Sequence, residues 1–116
     1  MNPQLNSFYC KAIDFTTYVK LAAPDFPKEA NLTCELALDR ILTYLDSLRE
    51  KDDDPTAKQW LRLAWNEVKA AEKSFEQKND REGRKMLDSA RTYLQYAAER
   101  KSMEPTIFID EPGIAE

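Results

Sequence analysis

The apolar residues of this chain recur at alternating intervals of three and four, and no other feature constrains the fold as much. Leu5, Phe8, Ala12, Phe15, Val19 and Ala22 form one series, and Cys34, Leu38, Ile41, Leu45 and Leu48 a second. Leu61, Ala64, Val68, Ala71 and Phe75 form the third, and Leu87, Ala90, Leu94 and Ala97 the fourth. A mean spacing of 3.5 residues lines up side chains along one face of an α-helix, the seam by which helices pack side by side.

The boundaries of these segments carry helix-start chemistry. Asn2-Pro3, Phe26-Pro27 and Asp54-Pro55 each offer a proline for the first helical position, where the missing amide costs nothing. Asn2 and Asp54 also offer side-chain oxygens as caps. Asn79 followed by Glu82 fits a capping box. Helices over 3–22, 27–50, 55–78 and 80–102 follow, each about 30 Å long. Their short links force neighbours antiparallel, so the expected fold is all-α: an antiparallel up-down-up-down four-helix bundle in a single domain, 1–102, with a short extended tail, 103–116. No 20–50-residue repeat runs along the chain.

The net charge of −4 conceals a gradient. Residues 1–54 hold 6 basic and 10 acidic side chains, a balance of −4, whereas residues 55–102 hold 11 and 7, a balance of +4. Residues 103–116 carry four acids and no base, interrupted by Ile107, Phe108 and Ile109. Pro105 and Pro112 oppose a helix there. No apolar run approaches the ~20 residues of a membrane span. MNPQLNSFYC shows no basic-then-apolar leader pattern, and two cysteines without export read as reduced thiols. A cytoplasmic protein without membrane contact is expected.

Composition also removes most catalytic chemistry. The chain has no histidine, hence no imidazole base, metal ligand or Ser-His or Cys-His nucleophile. Two glycines cannot build a phosphate-cradling loop. Cys34 reads as a core residue and Cys10 as an exposed thiol. Glu35, Asp39 and Asp46 share one flank of the second helix, and carboxylates alone can hold Mg²⁺. Paired acids three residues apart, which would make that flank an enzyme site, are missing, so it reads as a solvated face. Asp52-Asp53-Asp54 reads as a loop ending in a helix cap. No catalytic residue, cofactor or metal is expected.

Binding surfaces remain. Arg81, Arg84, Lys85 and Arg91 cluster opposite the fourth seam, an arrangement open to nucleic acid, although Asp88 sits among them and the sequence pI is near 5.0. In WLRLAWNEV, residues 60–68, the seam uses Leu61, Ala64 and Val68. Trp60 and Trp65 fall on its two shoulders, and Leu63 lies well outside it. Leu36 and Ile13 are similar surplus apolar groups. An exposed apolar patch on such a protein points to a partner. Burying Ile107, Phe108 and Ile109 would contribute about 5–8 kcal/mol in all. Ordering about eight tail residues costs roughly 1–2 kcal/mol apiece, so a docked tail needs help from charge or a partner.

The leading expectation is therefore a non-enzymatic protein–protein interaction module, such as an adaptor, small chaperone, inhibitor or regulator. Its partner-binding residues would be Trp60, Leu63, Trp65, Ile107, Phe108 and Ile109, with homodimerisation through exchange of the C-terminal arm as one form. Nucleic-acid binding through Arg81, Arg84, Lys85 and Arg91 is the alternative. A carboxylate–Mg²⁺ enzyme ranks third.

Overall fold

Each helix is delimited by local chemistry. The computed structural model describes residues 3–102, which comprise α1 (Pro3–Ala22), a 3-10 turn (Lys28–Ala30), α2 (Cys34–Lys51), α3 (Pro55–Glu76) and α4 (Asp80–Ser102). The described residues include no strand, so the fold is all-helical with four α-helices. The expectations for Asn2 and for the tail 103–116 lie outside them.

At the start of α3, Asp54 accepts the Thr56 amide at 3.1 Å, with Pro55 following as the first helical residue. The α3–α4 link is a tight reversal around Lys78, whose φ of 65° is left-handed. The Asn79 amide donates to Ser74 and the Lys78 amide to Phe75, closing the last turn of α3 by the paired bonds of a Schellman motif. Asn79 also caps α4 by accepting the Glu82 amide at 3.4 Å. Because the Asn79 amide is committed to Ser74, Glu82 has no amide to reach back to, and the capping box is only half formed.

The second helix departs from expectation. It begins at Cys34, not at Pro27. Pro27 opens the 3-10 turn, which Asn31 ends in a left-handed conformation at φ 54°. Thr33 then caps α2, its hydroxyl accepting the Leu36 amide at 3.1 Å. A left-handed residue stops helix propagation, so the helix must restart at the next capping side chain.

Burial follows the predicted seam closely in α3 and α4, where Leu61, Ala64, Val68, Ala71, Phe75, Leu87, Ala90, Leu94 and Ala97 are all buried. In α1 the seam is shifted. Leu5, Tyr9, Ala12, Thr16 and Val19 face the core, as does Ala23 just past the helix, while Phe8 and Phe15 are half-buried on the shoulder. The shift succeeds because both polar side chains are satisfied. Thr16 Oγ1 donates to the Ala12 carbonyl at 2.7 Å, and the Tyr9 hydroxyl donates to Asp52 Oδ2 at 2.6 Å. Cys34, at the first position of α2, is half-buried and packs against the edge of the core, whose fully buried α2 members are Ala37, Leu38, Ile41, Leu45 and Leu48.

The helices meet as the sides of a square: α1 with α2, α2 with α3, α3 with α4, and α4 back to α1. Among the described residues the backbones of the diagonal pairs do not approach. Polar contacts bind the α1–α4 edge, where Arg84 donates to the Ala23 carbonyl at 3.1 Å and Arg91 Nε to Thr17 Oγ1 at 2.8 Å. Lys20 and Asp88 pair there at 2.8 Å. At the other end of α4, Arg100 pairs with Asp54 at 2.9 Å.

Candidate interaction surface

Aromatic side chains gather where α3 and α4 meet the surface. Trp60 leaves the α3 seam on its α4 side and stacks on Tyr93, with ring centres 5.7 Å apart and planes at 20°. Tyr96, one turn further along α4, meets Trp60 edge-on at 5.0 Å. Such pairs each contribute about 0.5–1.5 kcal/mol beyond burial, so the cluster is a rigid platform. Tyr96 is 44% exposed, and Leu63 on the adjoining face of α3 is 42% exposed.

The outer face of α4 continues from this platform. Arg81, Lys85, Asp88, Thr92 and Tyr96 succeed one another at helical spacing and form one stripe. Two shallow grooves follow it. One, of about 290 Å³, is lined by Asp88, Ser89, Thr92, Tyr93 and Tyr96. The other, of about 470 Å³, is lined by Lys20, Leu21, Arg81, Arg84, Lys85 and Asp88, so the two meet at Asp88. Leu21 forms the apolar part of the second groove and is 74% exposed, a large apolar side chain left in water.

The residues singled out from the sequence divide accordingly. Trp60 joins the platform, and Leu63 is exposed beside it. Trp65, on the far shoulder of α3, is half-buried; the Lys69 ammonium lies 5.8 Å from its ring centre. Its Nε1 is buried with no hydrogen-bond partner among the described residues. Ile107, Phe108 and Ile109 lie outside those residues. Of the four cations, Arg84 and Arg91 are tied to α1, whereas Arg81 and Lys85 form no ion pair with a described residue. Sequence reasoning missed Leu21 and Tyr93. Leu21 was one apolar residue beside a seam that closed without it, and Tyr93 acquires its role only by facing Trp60 across the hairpin.

The carboxylate flank of α2 is not assembled into one site. Glu35 lines a cleft of about 510 Å³ at the end of the molecule, with Asp25, Glu72, Glu76 and Asp80 around Cys34. Asp46 lies instead beside Arg49, 4.0 Å away, in a different groove. Among the described residues no three His, Cys, Asp or Glu side chains converge closely enough to hold a metal ion. In the acidic cleft burial, then Asp80, Asp25 and Glu72, push the Cys34 thiol above its ordinary pKa, which opposes thiolate chemistry. No helix of the described residues is long and apolar enough to cross a membrane.

Compared with known proteins, the chain matches no family model, no curated protein and no solved structure.

Proposed function

We propose that this chain is a non-enzymatic protein–protein interaction module, an up-down-up-down four-helix bundle that receives a protein partner on the outer face of α4. The observation that carries this reading is the Trp60–Tyr93–Tyr96 platform, with Tyr96 and Leu63 left exposed at its rim. Rigid aromatic groups with one face in water are the usual anchors of protein interfaces, because they bury much area and lose little side-chain entropy. The bundle course is supported by contacts between opposite helix ends. Tyr9 near the start of α1 reaches Asp52 at the end of α2, and Arg100 near the end of α4 reaches Asp54 at the start of α3. In this reading residues 103–116 supply a partner-binding segment. The free thiols Cys10 and Cys34 suit a reducing compartment such as the cytoplasm.

Capture from native extract tests the platform when the wild type is compared with Leu63→Glu/Tyr96→Glu, both shown to be folded by circular dichroism. The reading expects captured proteins that disappear selectively with the double variant. An identical captured set for the two proteins overturns it.

A further inference from the structure

The groove at the opposite end of the α4 face has a chemistry of its own. Leu21 offers an exposed apolar floor, and four cations rim it: Lys20, Arg81, Arg84 and Lys85. One carboxylate, Asp88, opposes them and is already paired with Lys20. Two of the cations, Arg81 and Lys85, stand exposed with no ion pair to a described residue. A complementary ligand is therefore a short apolar segment bordered by carboxylates. The chain contains one in Glu104-Pro-Thr-Ile-Phe-Ile-Asp-Glu111: three bulky apolar residues, one acid before them and two directly after.

Reach decides which molecule supplies it. Along α4 at 1.5 Å per residue, Asp88 at the near edge of the Leu21 floor lies about 21 Å back from Ser102, and Lys85 and Arg81 about 26–32 Å. Phe108 stands six residues beyond Ser102, a span of about 22 Å at full extension, which leaves almost nothing for the reversal of direction the chain must first make beyond the helix end. The apolar triad of a molecule thus falls short of its own groove. A second copy has no such limit. With two copies side by side and their α4 helices antiparallel, the end of each α4 lies beside the other's basic groove. One two-fold axis then satisfies both grooves and closes the assembly.

We propose that the Leu21 groove binds the Ile107–Phe108–Ile109 segment of a second copy of this chain, with Asp110 and Glu111 against Arg81 and Lys85. This rests on the reading of the α4 face as a docking surface and names its partner. The product is an arm-exchanged homodimer, whose affinity falls as salt screens the exposed charges.

Sedimentation equilibrium on the full chain, from micromolar to hundreds of micromolar protein, tests it by charge reversal. Wild type is expected to dimerise at low salt and to dissociate at least about tenfold more readily at high salt. Arg81→Glu/Lys85→Glu gives an acidic groove facing an acidic arm, and Asp110→Lys/Glu111→Lys a basic groove facing a basic arm. Each is expected to be monomeric alone, and an equimolar mixture to recover the dimer, because every groove then meets an arm of opposite charge. Leu21→Asp removes the apolar floor and is expected to give a monomer. A wild type that stays monomeric throughout overturns the proposal, as does a dimer indifferent to both reversals. If such a monomer still captures other proteins through Leu63 and Tyr96, the arm exchange falls and the interaction-module reading stands.

Discussion

The phenol of Tyr9 donates a 2.6 Å hydrogen bond to Asp52 Oδ2, and both side chains are fully buried. The other carboxylate oxygen of Asp52 accepts the Asp54 amide at 3.0 Å, so one acid joins α1 to the turn that launches α3. Removing the phenol in Tyr9→Phe takes a donor from a buried carboxylate and is expected to cost about 1.5–3 kcal/mol at neutral pH. Burial first, then the bond to Asp52, push the Tyr9 phenol above its ordinary pKa of 10.0. The native protein holds that proton while the unfolded chain releases it. The stabilisation is therefore intact below about pH 10 and drains away as pH rises further. Urea unfolding of wild type and variant across alkaline pH checks this: the gap between them should narrow above that point. A constant gap would contradict it.

That contact also shows where the sequence was legible and where it was not. In α3 and α4 the apolar spacing read directly as the buried seam, since each buried residue is apolar and needs nothing from elsewhere. In α1 the same rule chose Phe8 and Phe15 over Tyr9 and Thr16, because the partner that makes Tyr9 buriable stands 43 residues away. The start of α2 was misplaced for a local reason: Pro27 signals a first turn, but nothing in the residue types reveals that Asn31 will adopt a left-handed φ and hand the cap to Thr33. The surplus of Trp60 and Leu63 was visible, whereas the platform needed Tyr93 and Tyr96 brought across the hairpin. The basic groove was half visible. Three of its cations appeared in the fourth segment, but Lys20 and the Leu21 floor come from α1.

Gly83 is buried because the Phe75 ring lies flat on it. A Cβ placed there would sit 2.6–2.8 Å from three ring atoms, closer than van der Waals contact allows. Gly83→Ala gains about 1 kcal/mol of helix propensity. Overpacking a buried ring costs about 1–3 kcal/mol, at the lower end if the Phe75 ring yields toward the cleft it lines. Net destabilisation of up to about 2 kcal/mol is expected by denaturant titration. A Phe75→Leu background should remove most of the penalty, giving a coupling that a double-mutant cycle resolves.

Lys78 holds the left-handed position of the α3–α4 reversal at φ 65°, where a Cβ is unfavourable. Its amide bonds to Phe75, and the neighbouring Asn79 amide to Ser74, so the backbone is fixed in that conformation. Glycine adopts it without steric cost. Lys78→Gly is expected to stabilise the protein by up to about 1 kcal/mol, reduced by the greater freedom of glycine in the unfolded chain. Lys78→Val should do the opposite, because a β-branched side chain tolerates positive φ poorly. Thermal melts of the two variants should move in opposite directions.

The two thiols should differ sharply in reactivity. Cys10 is exposed, while Cys34 is half-buried in the acidic cleft between the starts of α2 and α4. Burial is the larger cause of the raised Cys34 pKa, and Asp80, Asp25 and Glu72 add to it by disfavouring a second negative charge nearby. With a disulfide reagent at neutral pH, Cys10→Ser, which retains Cys34, is expected to label more slowly than Cys34→Ser. Its rate should keep climbing as pH passes the ordinary thiol value of 9.0, because the thiolate fraction is still rising there. Asp80→Asn removes the largest of the charge effects but leaves burial in place. Labelling of Cys34 should therefore accelerate but stay slower than that of Cys10. Equal rates for the two thiols at neutral pH would mean that neither the cleft wall nor its carboxylates shield Cys34.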